Sequence, residues 1–170
     1  ARDILEVSQG LLLGSGWPLF NRFTLSSTRF LGLGPEPREG SGRSMPTLVL
    51  HGRLGGCVGD LPAYEAFTLG GPHSVRGFKV GEIATCRAFA EAAAEVRVPA
   101  FGRQLYGFAE HGSDLGSSKY VAGNPSAIYR REGSGTSYGC GAKLGIVRFE
   151  WAHNSAQGRG NWYAMFGERF

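Results

Sequence analysis

RAFAEAAAEVRVP, Arg87–Pro99, decides the architecture, because helix propensity and residue periodicity give opposite answers there. Ala and Glu are good helix formers, so composition alone reads the segment as a helix. On a helix, Arg87, Glu91 and Glu95 form one stripe, and the opposite face of Ala and Phe offers little apolar bulk to bury. With a period of two, the odd positions Arg87, Phe89, Glu91, Ala93, Glu95 and Arg97 collect every charge. The even positions Ala88, Ala90, Ala92, Ala94, Val96 and Val98 carry none. That separation predicts a strand with one polar and one apolar face.

The alternation recurs on both sides. Tyr138, Cys140 and Ala142 oppose Ser137, Gly139, Gly141 and Lys143, while Val147, Phe149, Trp151 and His153 oppose Arg148, Glu150 and Ala152. In the final segment Trp162, Ala164, Phe166 and Phe170 share a face; upstream, Leu48, Leu50 and Leu54 alternate with Thr47, His51 and Arg53. Asp3–Leu13, Asn21–Leu33 and Gln104–His111 complete eight predicted strands. Tight turns are expected at Pro99–Arg103 and Leu144–Ile146, and long loops over Gly55–Cys86 and Gly112–Thr136. Alternating short and long connections are the habit of outer-membrane barrels. Gly34–Pro46 breaks the habit and reads as an insertion in a flexible turn.

Composition agrees with a β-rich chain. There are 28 Gly among 170 residues without a G-X-Y period, and aromatics are spread among them, which excludes collagen and argues against a disordered tract. No run approaches the roughly 18–20 apolar residues of a membrane helix, whereas barrel strands need only about 9–11 of alternating polarity. A mean hydropathy of -0.15 fits the second pattern. The net charge of +4 is scattered rather than clustered with aromatics, so no nucleic-acid partner is expected. Cys57, Cys86 and Cys140 are odd in number and lack C-x-x-C spacing, which supports neither a disulfide framework nor a metal site. The chain opens on Ala1 without a signal segment, as expected of a piece of a longer polypeptide.

Catalytic patterns are weak. His73 and Ser74 are adjacent, with Asp60 the nearest candidate third member, but neighbouring side chains rarely form a nucleophile–base pair and no G-x-S-x-G elbow exists. Glu91 and Glu95 lie about 13–14 Å apart on a strand, beyond the spacing of glycosidase carboxylates. GSGTSYG, Gly133–Gly139, has the wrong spacing for a phosphate loop. Neither an enzyme nor a cofactor is expected. A soluble β-sandwich or lectin is the rival from another class; folding in buffer without detergent would favour it.

Two motifs carry a family resemblance. GGPHSVRGF, Gly70–Phe78, resembles the V-R-G-F/Y signature of the BamA and two-partner-secretion transporter superfamily, and FAEHG, Phe108–Gly112, resembles its F-x-D-x-G partner motif with Glu for Asp. Over Leu48–Phe170, including the terminal FGERF, the sequence resembles the channel subunits of the chloroplast TOC protein-import translocon. The resemblance implies a transmembrane antiparallel β-barrel of sixteen strands, of which residues 1–170 form the C-terminal eight. A lumenal loop at about residues 55–86 folds back inside, and the remaining strands and POTRA modules are expected upstream or in another chain. It also implies passive import of precursor proteins across the chloroplast outer envelope. The implied partners are the N-terminal barrel half, receptor GTPases, transiting precursors, inner-envelope translocon components and membrane lipids. A barrel insertase of the same superfamily is the alternative.

The implied loop-to-wall contact joins Arg76, Gly77 and Phe78 to Phe108, Glu110 and Gly112. Physical chemistry supports it: the planar fork of Arg suits a carboxylate, and stripping a buried charge of its partner costs about 3–5 kcal/mol. Gly77 would allow a tight tip, and Phe78 would pack against wall aromatics such as Phe108. On the lumen face, Arg87, Arg97, Lys143 and Arg148 balance Glu91, Glu95, Glu110 and Glu150, so this half offers no electrostatic funnel. Phe166 and Phe170 resemble the terminal signal read by barrel-assembly machines; a plain apolar girdle explains them equally well.

Overall fold

A computed structural model describes residues 1–10, 19–34, 45–100, 102–121 and 132–170. Among the described residues eight strands form one antiparallel sheet in chain order: β1 (Arg2–Gly10), β2 (Phe20–Gly32), β3 (Thr47–Gly59), β6 (Phe89–Ala100), β7 (Arg103–Ser113), β8 (Ser134–Leu144), β9 (Val147–Asn154) and β10 (Arg159–Phe166). Between β3 and β6 the chain makes a separate hairpin of β4 (Phe67–Leu69) and β5 (Ala84–Cys86). β1 and β10 are the two edges of the described sheet.

Each strand separates two faces. On β7, Tyr106, Phe108, Glu110 and Gly112 are buried while Leu105, Ala109 and His111 are exposed. The polarity is inverted relative to a water-soluble protein: Glu95, Glu110, Arg148 and Glu150 are buried, whereas Leu5, Leu54, Val98, Phe149, Trp162 and Phe166 are exposed. An apolar outer face of that extent suits lipid. Among the described residues no helix is long and apolar enough to cross a membrane.

The inner face is concave, because one loop touches inward residues of β6, β7, β9 and β10 at once. Its hairpin and tip carry their own apolar core, in which Phe67, Leu69, Val75, Phe78, Ile83 and Cys86 pack with Phe89. β8 makes room for inward rings by presenting glycine. A Cβ on Gly139 would lie 2.0 Å from the Trp151 carbonyl and 2.6 Å from the Phe108 ring.

Several boundaries differ from the sequence reading. β3 continues to Gly59, so the loop starts later than Gly55, and it contains a hairpin that short, buried, non-alternating segments did not announce. β6 begins at Phe89, because Ala84–Cys86 pairs with Phe67–Leu69 instead of extending the main ladder. β10 stops at Phe166, where Gly167 takes a positive φ of 85°. Leu11–Leu13, residues 35–44 of the predicted insertion and residues 122–131 of the second long loop lie outside the described residues.

Candidate functional site

Arg76 stands at the tip of the inner loop with no exposed surface. A buried guanidinium must spend its donors on carboxylates, and three are supplied by three strands. Glu110 of β7 takes most of them: its Oε1 accepts from Arg76 Nε at 2.9 Å and Nη2 at 2.5 Å, and its Oε2 accepts from the Arg76 backbone N–H at 2.8 Å. Glu95 of β6 lies 3.4 Å from Nη2. Glu150 of β9 lies 3.1 Å from Nη1, an ion pair rather than an aligned hydrogen bond. The Phe108 ring lies beneath the guanidinium, 3.3 Å from its carbon to the ring centroid, which adds a cation–π contact. Burial pushes the Arg76 pKa down, but Glu110, Glu150 and Glu95 outweigh it and the value is raised, so the charge is fixed.

The carboxylates are themselves braced. Glu95 accepts from Arg97 Nε at 2.8 Å and from Arg148 Nη2 at 3.4 Å. Tyr106 donates to Glu150 at 2.8 Å and accepts from Arg148 Nε at 3.1 Å, joining β7 to β9. At the neighbouring tip residue, Gly77 has φ +89° and lies against the β9 backbone, 3.2 Å from the Asn154 nitrogen to the position a Cβ would take. Its N–H donates to Tyr163 at 2.9 Å, and its carbonyl accepts from Asn161 at 2.8 Å, both on β10.

From the opposite end of the sheet a second cation arrives. Past Gly167 the chain turns inward: Glu168 pairs with Lys143, and Arg169 reaches Glu110 Oε1 at 2.7 Å and donates to the Ser74 carbonyl. Glu110 is therefore where the loop and the terminal segment meet. Burial lowers the Arg169 pKa, and the nearby Arg76 charge opposes the help from Glu110, so Arg169 is the less well compensated cation.

Other expected residues fall as follows. Gly112 leaves room for Val75, since a Cβ there would meet its methyl at 2.8 Å. Phe78 packs with Val75, Ile83 and Phe89 in the loop core, and Phe108 belongs to a second cluster with Tyr106 and Ala152; the expected Phe78–Phe108 stacking gives way to Arg76 on Phe108. Arg87 precedes β6 and bonds the Gly59 carbonyl at the end of β3, so it compensates neither Glu91 nor Glu95. Glu91 pairs instead with Arg53 at 3.2 Å and with Ser74. Phe166 is exposed on the outer face, but Phe170 does not share that face: its ring stands 4.5 Å from His51 inside the sheet, because Gly167 ends the strand. Asn161 and Tyr163 had a readable signal, since they oppose Trp162 and Ala164 in the period-two pattern. The inward turn that carries Arg169 had none.

With that geometry in view, comparison with known proteins settles the kinship. Residues 4–170 match the Omp85 superfamily domain. The chain belongs to the Omp85 superfamily. This Omp85 chain is 56% identical over its full length to Protein TOC75, chloroplastic, of Pisum sativum, of which it covers 21%. It is 54% identical over 99% of its length to Protein TOC75-3, chloroplastic, of Arabidopsis thaliana, again covering 21%. Outer envelope protein 80, chloroplastic, of Oryza sativa subsp. japonica is 34% identical over 92% of the chain, which covers 23% of it. The chain thus spans about a fifth of the length of these relatives. In this Omp85 sheet the carboxylate opposite the loop arginine is Glu110, whose two oxygens bridge the Arg76 side chain and backbone.

Proposed function

We propose that this chain is the C-terminal part of the barrel of a protein-conducting channel in the chloroplast outer envelope, through which precursor proteins pass. The remaining strands, POTRA modules, receptor GTPases and inner-envelope components are supplied by the rest of the assembly. The chain performs no bond chemistry; it provides a lipid-facing wall and an inner loop that sets the width of the passage. One observation carries the reading: a wholly buried arginine ties a loop to the inner face of a sheet whose outer face is apolar, in a chain 56% identical to a TOC75 protein. The Arg76–Glu110 contact, with Gly77 as its tip, is the tether of that loop. Phe166 belongs to the lipid-facing edge, and Phe170 to the inner tail.

The higher identity to the TOC75 proteins than to outer envelope protein 80 favours the conduit over the insertase. Reconstitution of the full-length protein tests it. A conduit shows conductance that a precursor arrested in transit reduces, with crosslinks from inward positions to that precursor. Crosslinks from the Trp162–Phe166 edge to a folding barrel, without conductance, would establish the insertase instead.

A further inference from the structure

We propose that the inward face of β1–β3 is the surface that meets a polypeptide in transit, gripping an extended, unfolded segment through its backbone by the hydroxyl row of β2. The proposal rests on the conduit reading and names the wall along which the chain moves.

The loop and the tail leave only one side of the described sheet available. On β6–β9 the inward residues Glu95, Glu110, Ser137, Arg148, Glu150 and Asn154 are each at most 3% exposed, so nothing touches them unless the loop leaves. On β1–β3 the loop touches only one end of the wall, where Glu65 pairs with Arg22 and Phe67 packs over Gly55. A groove of about 350 Å³ runs along this wall, lined by Arg2, Ile4, Glu6, Thr24, Ser26 and Thr28, with Arg169 and Phe170 of the tail on its far side.

The lining fits a backbone better than any particular side chain. Between Arg22 and Phe30, β2 turns only hydroxyls inward: Thr24, Ser26 and Thr28. Successive same-face residues on a strand repeat every ~6.6–6.8 Å, which is also the repeat of hydrogen-bonding groups along one edge of an extended chain. Every peptide unit of such a chain needs a donor and an acceptor, and a hydroxyl serves as either. Thr28 is buried and engaged with His51 at 2.9 Å, while Thr24 and Ser26, half-buried, have no side-chain hydrogen-bond partner among the described residues and are the two rungs open to a chain.

Charge selects nothing at this wall. Arg53 is paired with Glu91 and Arg169 with Glu110, which leaves Arg2 and Glu6, one of each sign, on β1. Ile4 is the only aliphatic side chain in the groove. With one charge of each sign on β1, one aliphatic side chain and the Phe170 ring among its described lining, the groove holds a chain with little regard to its sequence and lets it slide.

The test uses the full-length protein in its membrane, with Cys57, Cys86 and Cys140 replaced by alanine and a cysteine-bearing precursor arrested in transit. Thr24→Cys and Ser26→Cys are expected to crosslink to the precursor. Leu25→Cys on the lipid side and Ser137→Cys under the loop are expected to stay at background. Crosslinks at Ser137 with none at Thr24 or Ser26 overturn the track and leave the conduit standing; no crosslink at any inward position overturns both. Reversing the charge of the arrested segment should leave the yield at Ser26 unchanged, and its loss would replace backbone contact by charge recognition.

Discussion

The β6–β9 wall and the β1–β3 wall obey the same period-two alternation but do opposite things with their inner faces. On β6–β9 the inward set is Glu, Arg, Tyr and Phe, with glycines on β8 opposite the rings, and a loop covers it. On β2 the inward set between Arg22 and Phe30 is Thr and Ser, and the loop reaches only the Arg22 end, where Glu65 pairs with it. The difference lies in what each face leaves unpaired. Around the loop tip, Glu95, Glu110 and Glu150 outnumber the wall's own Arg97 and Arg148, and both Arg76 of the loop and Arg169 of the tail are drawn to them. Hydroxyls lack nothing that water cannot supply, so no loop is drawn to them. Alternation assigns residues to a face; charge balance decides which face acquires a lid.

The largest effect is expected from removing the carboxylate that both cations share. Glu110→Ala takes its main partner from Arg76, leaving it Glu95 and Glu150, and its carboxylate from Arg169, a loss on the order of 3–5 kcal/mol, which should release the loop. Cys86 reports the release. It is buried in the loop core, and burial, aided by Asp114 and Glu91, pushes its thiol up to about 12, so it should resist alkylation at neutral pH in the parent. In Glu110→Ala it should become labelled, and continued protection would break the tether. Exchanging the pair, Arg76→Glu with Glu110→Arg, should not restore protection. Residue 76 would then face Glu95 and Glu150, and residue 110 would face Arg169, so the double change should label at least as fast as either single one.

That failure of a simple swap marks how far the sequence could be read. Arg87–Pro99 disclosed the strand, its faces and the inward glutamates, because alternation needs no tertiary information. The V-R-G-F resemblance pointed to Arg76 and Glu110. What it did not disclose was the number of partners: Glu95 and Glu150 reach Arg76 only because the sheet curves, and curvature leaves no trace in a period of two. Arg87 was misplaced by the same limit. Its alternation continues that of β6, but pairing across β4 and β5 ends the strand before it. Arg169 and Phe170 depended on a single backbone angle at Gly167, which no side-chain pattern encodes.

A smaller loss is expected where the loop is held through its backbone. Gly77→Ala places a side chain at φ +89° against the Asn154 backbone, a strain of about 1–3 kcal/mol. Its expected sign is faster labelling of Cys86 and a lower melting temperature of the full-length protein, with every ion pair still available. Tyr163→Phe removes the acceptor of the Gly77 N–H and a contact with Asn161, the former worth about 0.5–1.5 kcal/mol. It should shift labelling in the same direction by less. If Tyr163→Phe exceeded Gly77→Ala, the last strand rather than the backbone angle would be the stronger hold on the tip.

The smallest expected effect separates the two walls most cleanly, because the same chemical change is made on each. Ser26 is half-buried in the open groove, and Ser137 is wholly buried beneath the loop with no hydrogen-bond partner for its hydroxyl. Ser26→Ala removes a group that water already satisfies, so stability should move by less than about 0.5 kcal/mol. Ser137→Ala removes an unsatisfied buried oxygen, so it should be neutral or slightly stabilising. Neither should expose Cys86. On the proposed track, transit is where they part: loss of the Ser26 hydroxyl would take one rung from the row, while loss of the Ser137 hydroxyl would touch nothing that moves. Slower precursor passage in Ser26→Ala alone therefore sharpens the contrast between the walls. Equal slowing in both variants would mean that the loop leaves during transit and that the covered wall is walked as well.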